Sequence, residues 1–139
     1  MSEELLNLSI YNYLSSINSN VLSEVPFMSR KIDIVQCEKD VVVTYELKLR
    51  NWKKAIEQML DHSIASHYCY LCMPSKGKSK ELIARICDDL SQYGFGFLLW
   101  DESVGEPRKV LSAKKSEYRN QIATSYLIEN IKTIQKCRK

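Results

Sequence analysis

The sequence predicts an α/β fold, a mixed central sheet flanked by helices. Three observations predict it. Apolar residues recur at helical spacing in four segments and at strand spacing between them, in the order α-β-β-β-α-β-α-β-α. Two of the strand segments, Tyr68 to Met73 (YCYLCM) and Phe95 to Trp100 (FGFLLW), are short continuous apolar runs, as in strands buried on both faces. Each of them follows a helical segment, the pattern of a crossover onto a central sheet.

The elements follow in order. From residue 3 to 20, Leu5, Leu6, Ile10, Tyr13, Leu14 and Ile17 form a helical stripe that ends at the polar Asn18 to Asn20. Val21 to Met28 reads as a short strand, which Pro26 restricts to an edge or bulge because it has no N–H to give. Ile32 to Cys37 and Val41 to Leu49 are two strands around the polar turn Glu38-Lys39-Asp40. Asn51 caps a helix expected to run to about Ser66, with Trp52, Ile56, Met59 and Ser63 on one stripe. After the Tyr68–Met73 strand, the loop PSKGKS leads to a helix from Ser79 to Tyr93, stopped by Gly94. The Phe95–Trp100 strand is followed by a turn or hairpin over Asp101 to Pro107 and an edge strand over Val110 to Ala113. From Lys114 a long basic helix is expected, carrying Tyr118, Ile122, Tyr126, Leu127, Ile131 and Ile134.

At 139 residues the chain has the size of one domain, here 1–139, with a core over about 3–101 and a C-terminal extension over about 102–139. It has no apolar run long enough to span a membrane, so no membrane partner is expected. Its first residues, MSEELLNLS, lack the basic start of a secretory signal. Five cysteines, an odd and sparse set, fit reduced thiols and a cytoplasmic location. Charge is uneven. Arg108 to Lys139 hold nine basic residues against two acids, whereas residues 1–107 hold eleven basic and fifteen acidic ones. A basic tail on an acidic body suits a polyanionic partner, although solvated lysines would look the same.

The unusual stretch is Arg30 to Gln58. Asp33 interrupts one apolar run and Glu46-Leu47-Lys48 interrupts the next, although burying an unpaired charge costs several kcal/mol. Side chains alternate along strands, so Ile32 and Ile34 share one face of the first strand. That face and the apolar face of the second strand reach one core only if the connecting loop has an even number of residues. Lys39-Asp40, or Glu38 to Val41, satisfies this. Either register sets Asp33 opposite Glu46 and Lys48 opposite Lys31. Two facing carboxylates repel unless a cation lies between them, and Mg²⁺ binds few carboxylates while keeping water and phosphate oxygens. A lysine beside such an ion can orient a nucleophile or offset charge on a phosphate. The alternative is a surface salt bridge of Asp33 or Glu46 with Lys48 on a solvated sheet face.

Asp33, then Glu46-x-Lys48 on the next strand, then a helix, resembles the PD-(D/E)xK nuclease superfamily over about Glu3 to Met73. The resemblance implies an αβββαβ restriction-endonuclease-like core and phosphodiester hydrolysis with Mg²⁺ or Mn²⁺. It makes Asp33, Glu46 and the Leu47 carbonyl metal ligands, and Lys48 the catalytic lysine. It adds an upstream glutamate, Glu24 in the first place and Glu3 or Glu4 as the alternative. It also adds the helix glutamine of exonuclease-like members, Gln58. The tyrosine that accompanies that glutamine is replaced here by His62, and the proline before the aspartate by Ile32. The expected activity is a metal-dependent nuclease acting on nucleic acid, DNA before RNA, with a homodimer implied by relatives that pair to cut two strands. An inactive nucleic-acid-binding or assembly module on the same fold is the alternative. Arg30, Lys31, Arg50, Lys53, Lys76, Lys78 and Lys80 are the residues expected to contact nucleic acid through its phosphates.

Other groups invite blander readings. Cys69 and Cys72 lie three apart on an extended strand and so point to opposite faces, which suits core thiols better than zinc. His62 is expected at the surface, with a general-base role as the alternative. Trp52 is expected as a core aromatic at the strand-to-helix corner. The loop around Lys76 and Lys78 lacks the spacing of a P-loop.

Overall fold

Residues 1–137 of the computed structural model are described; Arg138 and Lys139, the last two residues of the basic tail, lie outside the described residues. Their elements are α1 (Glu3–Ile17), β1 (Val21–Phe27), β2 (Arg30–Glu38), β3 (Val41–Leu47), α2 (Trp52–Ser63), β4 (Tyr68–Pro74), α3 (Lys80–Ser91), β5 (Gly96–Asp101), β6 (Glu106–Leu111) and α4 (Gln121–Cys137). The six strands form one mixed sheet in chain order. β1, β2 and β3 are antiparallel neighbours, β4 and β5 run parallel to β3, and β6 returns antiparallel to β5. The expected α/β class, a mixed sheet flanked by helices, is the observed one. Among the described residues no helix is long and apolar enough to cross a membrane.

Local chemistry accounts for the boundaries. Ser2 caps α1 by accepting the Leu5 N–H at 3.0 Å, and Glu3 and Glu4 sit in its first turn, where the helix dipole favours acids. Leu6, Ile10 and Leu14 bury its inner stripe against Ile34, Tyr45, Leu47 and Trp100 on one face of the sheet. On the other face α2 and α3 cover Cys69, Leu71, Met73, Phe97 and Leu99. α4 closes a third cluster over β1 and β2, placing Leu127 and Ile131 on Leu22, Val35 and Val42. Cys69 and Cys72 do fall in opposite layers.

Lys39 and Asp40 both have positive φ, 51° and 63°, and Glu38 pairs with Val41. The hairpin therefore closes with the two-residue loop, whose backbone handedness matches strand twist. This is one of the two even loops, and Ile34 pairs with Tyr45 as the parity argument requires.

The structure departs from expectation at four points. Ile32 and Ile34 do not share one apolar face: Ile34 packs under α1, and Ile32 joins the α4 cluster. The strand pair is irregular between them: Glu24, facing Asp33 in the β1–β2 register, has φ 52°, a left-handed conformation unusual outside glycine. Second, β3 ends at Leu47, so Lys48 lies past the strand and is not paired with Lys31, whose partner is Pro26. Third, β6 starts at Glu106 and includes Pro107, which an edge strand tolerates. Fourth, the last helix starts at Gln121 instead of Lys114, leaving Tyr118 ahead of it. Residues 114–120 spend their backbone N–H groups on distant carbonyls: Lys114 on Gly94, Ser116 on His67 and Asn120 on Ile64. Asn120 then caps α4 by accepting the N–H groups of Ile122 and Ala123.

Candidate functional site

Beyond the Ile34–Tyr45 pair, β2 and β3 part, and a side chain takes over from the ladder. Neighbouring N–H groups on a strand point to opposite sides. The Lys48 N–H goes to the Cys72 carbonyl of β4, so the Leu47 N–H points towards β2. There the Asp33 Oδ2 accepts it at 2.9 Å. The same carboxylate is hydrogen-bonded to the Glu46 side chain, as the register continued by one residue requires.

Two carboxyl groups in contact cannot both be ionised at neutral pH without a cation. Burial, more than any other cause, raises the pKa of Asp33, and it raises that of Glu46 further, with the Asp33 charge adding to it. Glu46, only 6% exposed, holds the shared proton and donates it to Asp33. Glu3, at the start of α1, pushes in the same direction on both, and Lys48 opposes it. The Lys48 Nζ lies 4.0 Å from a Glu3 carboxylate oxygen. Glu3, Glu4, Ser23, Glu24, Asp33 and Leu47 line a cleft of about 410 Å³ between α1 and the sheet.

Of the two upstream glutamates, Glu3 is the one whose charge is felt by the Asp33–Glu46 pair. Glu24 lines the cleft rim with an exposed side chain. Behind the pair lies α2. His62, 3% exposed, sets its Nδ1 3.6 Å from Glu46 Oε2, and Gln58 sits one helical turn before it. Burial holds the imidazole neutral, with a pKa lowered to about 4. With a neutral histidine facing a protonated glutamic acid, this contact is no ion pair. The placement corrects the expectation of a surface histidine. Its signal was present in the sequence: Ala55, Met59 and His62 recur at i, i+4 and i+7, and all three are buried.

The expected nucleic-acid residues divide. Arg50, Lys76 and Lys78 gather in a second cleft of about 570 Å³ with Leu49, Trp52 and Pro74. Lys78 Nζ donates to the Leu49 carbonyl at 3.3 Å, and burial followed by the Arg50 charge lowers its pKa. The two clefts adjoin at the first residues of the chain, since Met1 lines one and Glu3 the other. Lys53 and Lys80 are exposed on the first turns of α2 and α3. Lys31 is exposed on β2, and Arg30 turns away to pair with Asp61 at 3.5 Å. Trp52 is half-buried, its Nε1 donating to Asp89 at 3.0 Å and its ring under the Arg85 guanidinium, so α3 occupies it as a core aromatic.

Among the described residues no group of three or more His, Cys, Asp and Glu side chains is arranged to hold a metal ion. A cation here would take the carboxylates of Asp33 and Glu46, and the Leu47 carbonyl. That small hard-oxygen set fits Mg²⁺ or Mn²⁺, and the buried, unpartnered Oε2 of Glu46 is a free ligand atom.

The chain matches no protein-family model, and no curated protein matches it either. Among solved structures it is similar to SPO1766, a protein of unknown function from Silicibacter pomeroyi. The two superpose with a TM-score of 0.71 at 15% identity, over 99% of this chain and 89% of that one. At that identity the likeness shows a shared fold.

Proposed function

We propose that the chain is a divalent-cation-dependent nuclease that hydrolyses phosphodiester bonds of nucleic acid, DNA in the first place. The observation that carries this reading is the contact of two buried carboxyl groups, Asp33 and Glu46, on adjacent strands, with Lys48 at the strand end. A structural ion pair would have brought a carboxylate to a cation of the chain, whereas these two acids face each other. Bound between them, Mg²⁺ or Mn²⁺ would act as a Lewis acid on the scissile phosphate and make water a better nucleophile.

The chain's own residues then divide the remaining work. Lys48 donates to a non-bridging phosphate oxygen and offsets the charge that grows there. Arg50, Lys76 and Lys78 hold the sugar-phosphate backbone in the adjoining cleft. Gln58 supports the site from α2. Water forms the new P–O bond, the ester P–O bond breaks, and the leaving oxygen takes up a proton from solvent.

Asp33→Asn and Lys48→Ala should each reduce Mn²⁺-dependent cleavage of single- and double-stranded DNA by at least about a hundredfold, the scale for losing one electrostatic group of a site. Circular dichroism should show the fold unchanged. Wild-type rates in both variants would overturn the reading. The second reading is a binding or assembly module without catalysis. It is favoured by the depth of Glu46, which lies under α2 and is tied to Asp33. It predicts retarded DNA mobility without hydrolysis in either metal. A homodimer and a cytoplasmic location complete the first reading, and light scattering tests the dimer.

A further inference from the structure

Three side-chain atoms among the described residues are buried without a hydrogen-bond partner: Glu46 Oε2, Gln58 Oε1 and His62 Nε2. They belong to one contact between β3 and α2. Buried polar atoms are almost always paired, so orphans gathered in one place mark a site whose partner is something other than the chain itself. We infer that His62 is a positioning residue for Glu46, its Nδ1–H holding the Oε2 of the ionised carboxylate when the cation is bound.

The inference rests on the nuclease reading and on the following geometry. Nδ1 and Oε2 are 3.6 Å apart, just beyond hydrogen-bond length, and a shift of a few tenths of an ångström would close the bond. Site hydrogen bonds are often long before the ligand arrives. His62 cannot be replaced by solvent, since it is 3% exposed. Nor can it swing away easily, because its carbonyl accepts the Ser66 hydroxyl at 2.7 Å and the Ala65 N–H at 3.1 Å. The ligand face of Glu46 is shared with Asp33, which leaves Oε2 to be fixed from the helix side. Groups that orient a ligating carboxylate set metal affinity, and their loss costs about ten- to a hundredfold.

Calorimetric titration of the full chain with Mn²⁺ tests this on wild type, D33N, H62L, H62N and H62Q. An asparagine amide reproduces the Nδ1 donor of histidine, whereas a glutamine amide reaches the position of Nε2. Expected is an affinity lowered about tenfold or more in H62L, largely restored in H62N and not in H62Q. Thermal melting should rank the three variants differently from their affinities. H62L binding as tightly as wild type, or H62Q restoring affinity as well as H62N, overturns the inference and leaves the nuclease reading intact. Should H62L not fold, the H62N against H62Q contrast decides alone. Wild type that binds no Mn²⁺, or binds it no better than D33N, overturns both.

Discussion

Glu46 shows how far a single residue can be read from position alone. Strand parity brings it opposite Asp33 from the sequence, because a one-residue slip would turn every valine of the hairpin to the wrong face. Its depth cannot be read that way. Burial comes from α2 crossing β3, a contact between segments whose separation leaves no trace in local periodicity. The same crossing hides His62. The depth has a measurable consequence in metal-free protein. The pKa of Glu46 is raised above its ordinary 4.5, so the native state keeps a proton that the unfolded chain releases as pH rises through that value. Its contribution to stability is whole below about pH 4.5 and is lost progressively as pH climbs towards the raised value. Glu46→Gln should therefore be more stable than wild type in EDTA at pH 8, by about 1–3 kcal/mol, the scale for a buried group denied its partner. The difference should close near pH 4.5, and millimolar Mg²⁺ should raise the melting temperature of wild type only. Equal pH profiles would contradict the buried pair. His62 acts with the opposite sign. Its pKa falls from 6.5 to about 4, so stability is lost as pH drops through that interval.

At the scale of elements, strand and helix existence was legible wherever periodicity and caps agreed, as in α1 with Ser2, α2 with Asn51 and α3 with Ser79. It failed where long-range hydrogen bonds outbid local preference. The stretch ahead of α4 has helical composition, yet three of its N–H groups are claimed by Gly94, His67 and Ile64. The helix can begin only after Asn120, whose side chain caps it. Asn120→Ala should cost about 1 kcal/mol of stability, the usual value of such a cap, read as a lower denaturation midpoint. β1 carries a different irregularity. A glutamate at φ 52° opposite Asp33 bears steric strain that glycine would not feel. Glu24→Gly should thus be more stable than Glu24→Ala by about 1 kcal/mol. Urea titrations that rank them the other way would show that the Glu24 backbone is not left-handed in solution.

Across the whole molecule, the order of elements foretold the layers because short connections make chain neighbours sheet neighbours, and six strands in sequence order are the extreme of that tendency. Which charges would meet was less legible. The basic tail stands out by its composition, yet α4 buries its apolar stripe on β1 and β2, while Arg50, Lys76 and Lys78 come together from two separate loops. Proximity to Asp33 favours that cleft over the tail as the place where phosphates lie. Salt dependence separates the two. In the D33N background, which keeps substrate intact, duplex binding should weaken with salt along a log–log slope set by the number of phosphates neutralised. Replacing Arg50, Lys76 and Lys78 together by alanine should flatten that slope by about 0.9 for each phosphate that is no longer neutralised. Replacing Lys132 and Lys136 on α4 should leave it nearly unchanged. If the α4 variant flattens the slope and the cleft variant does not, nucleic acid lies along the tail, and the cleft beside Lys48 is not its path.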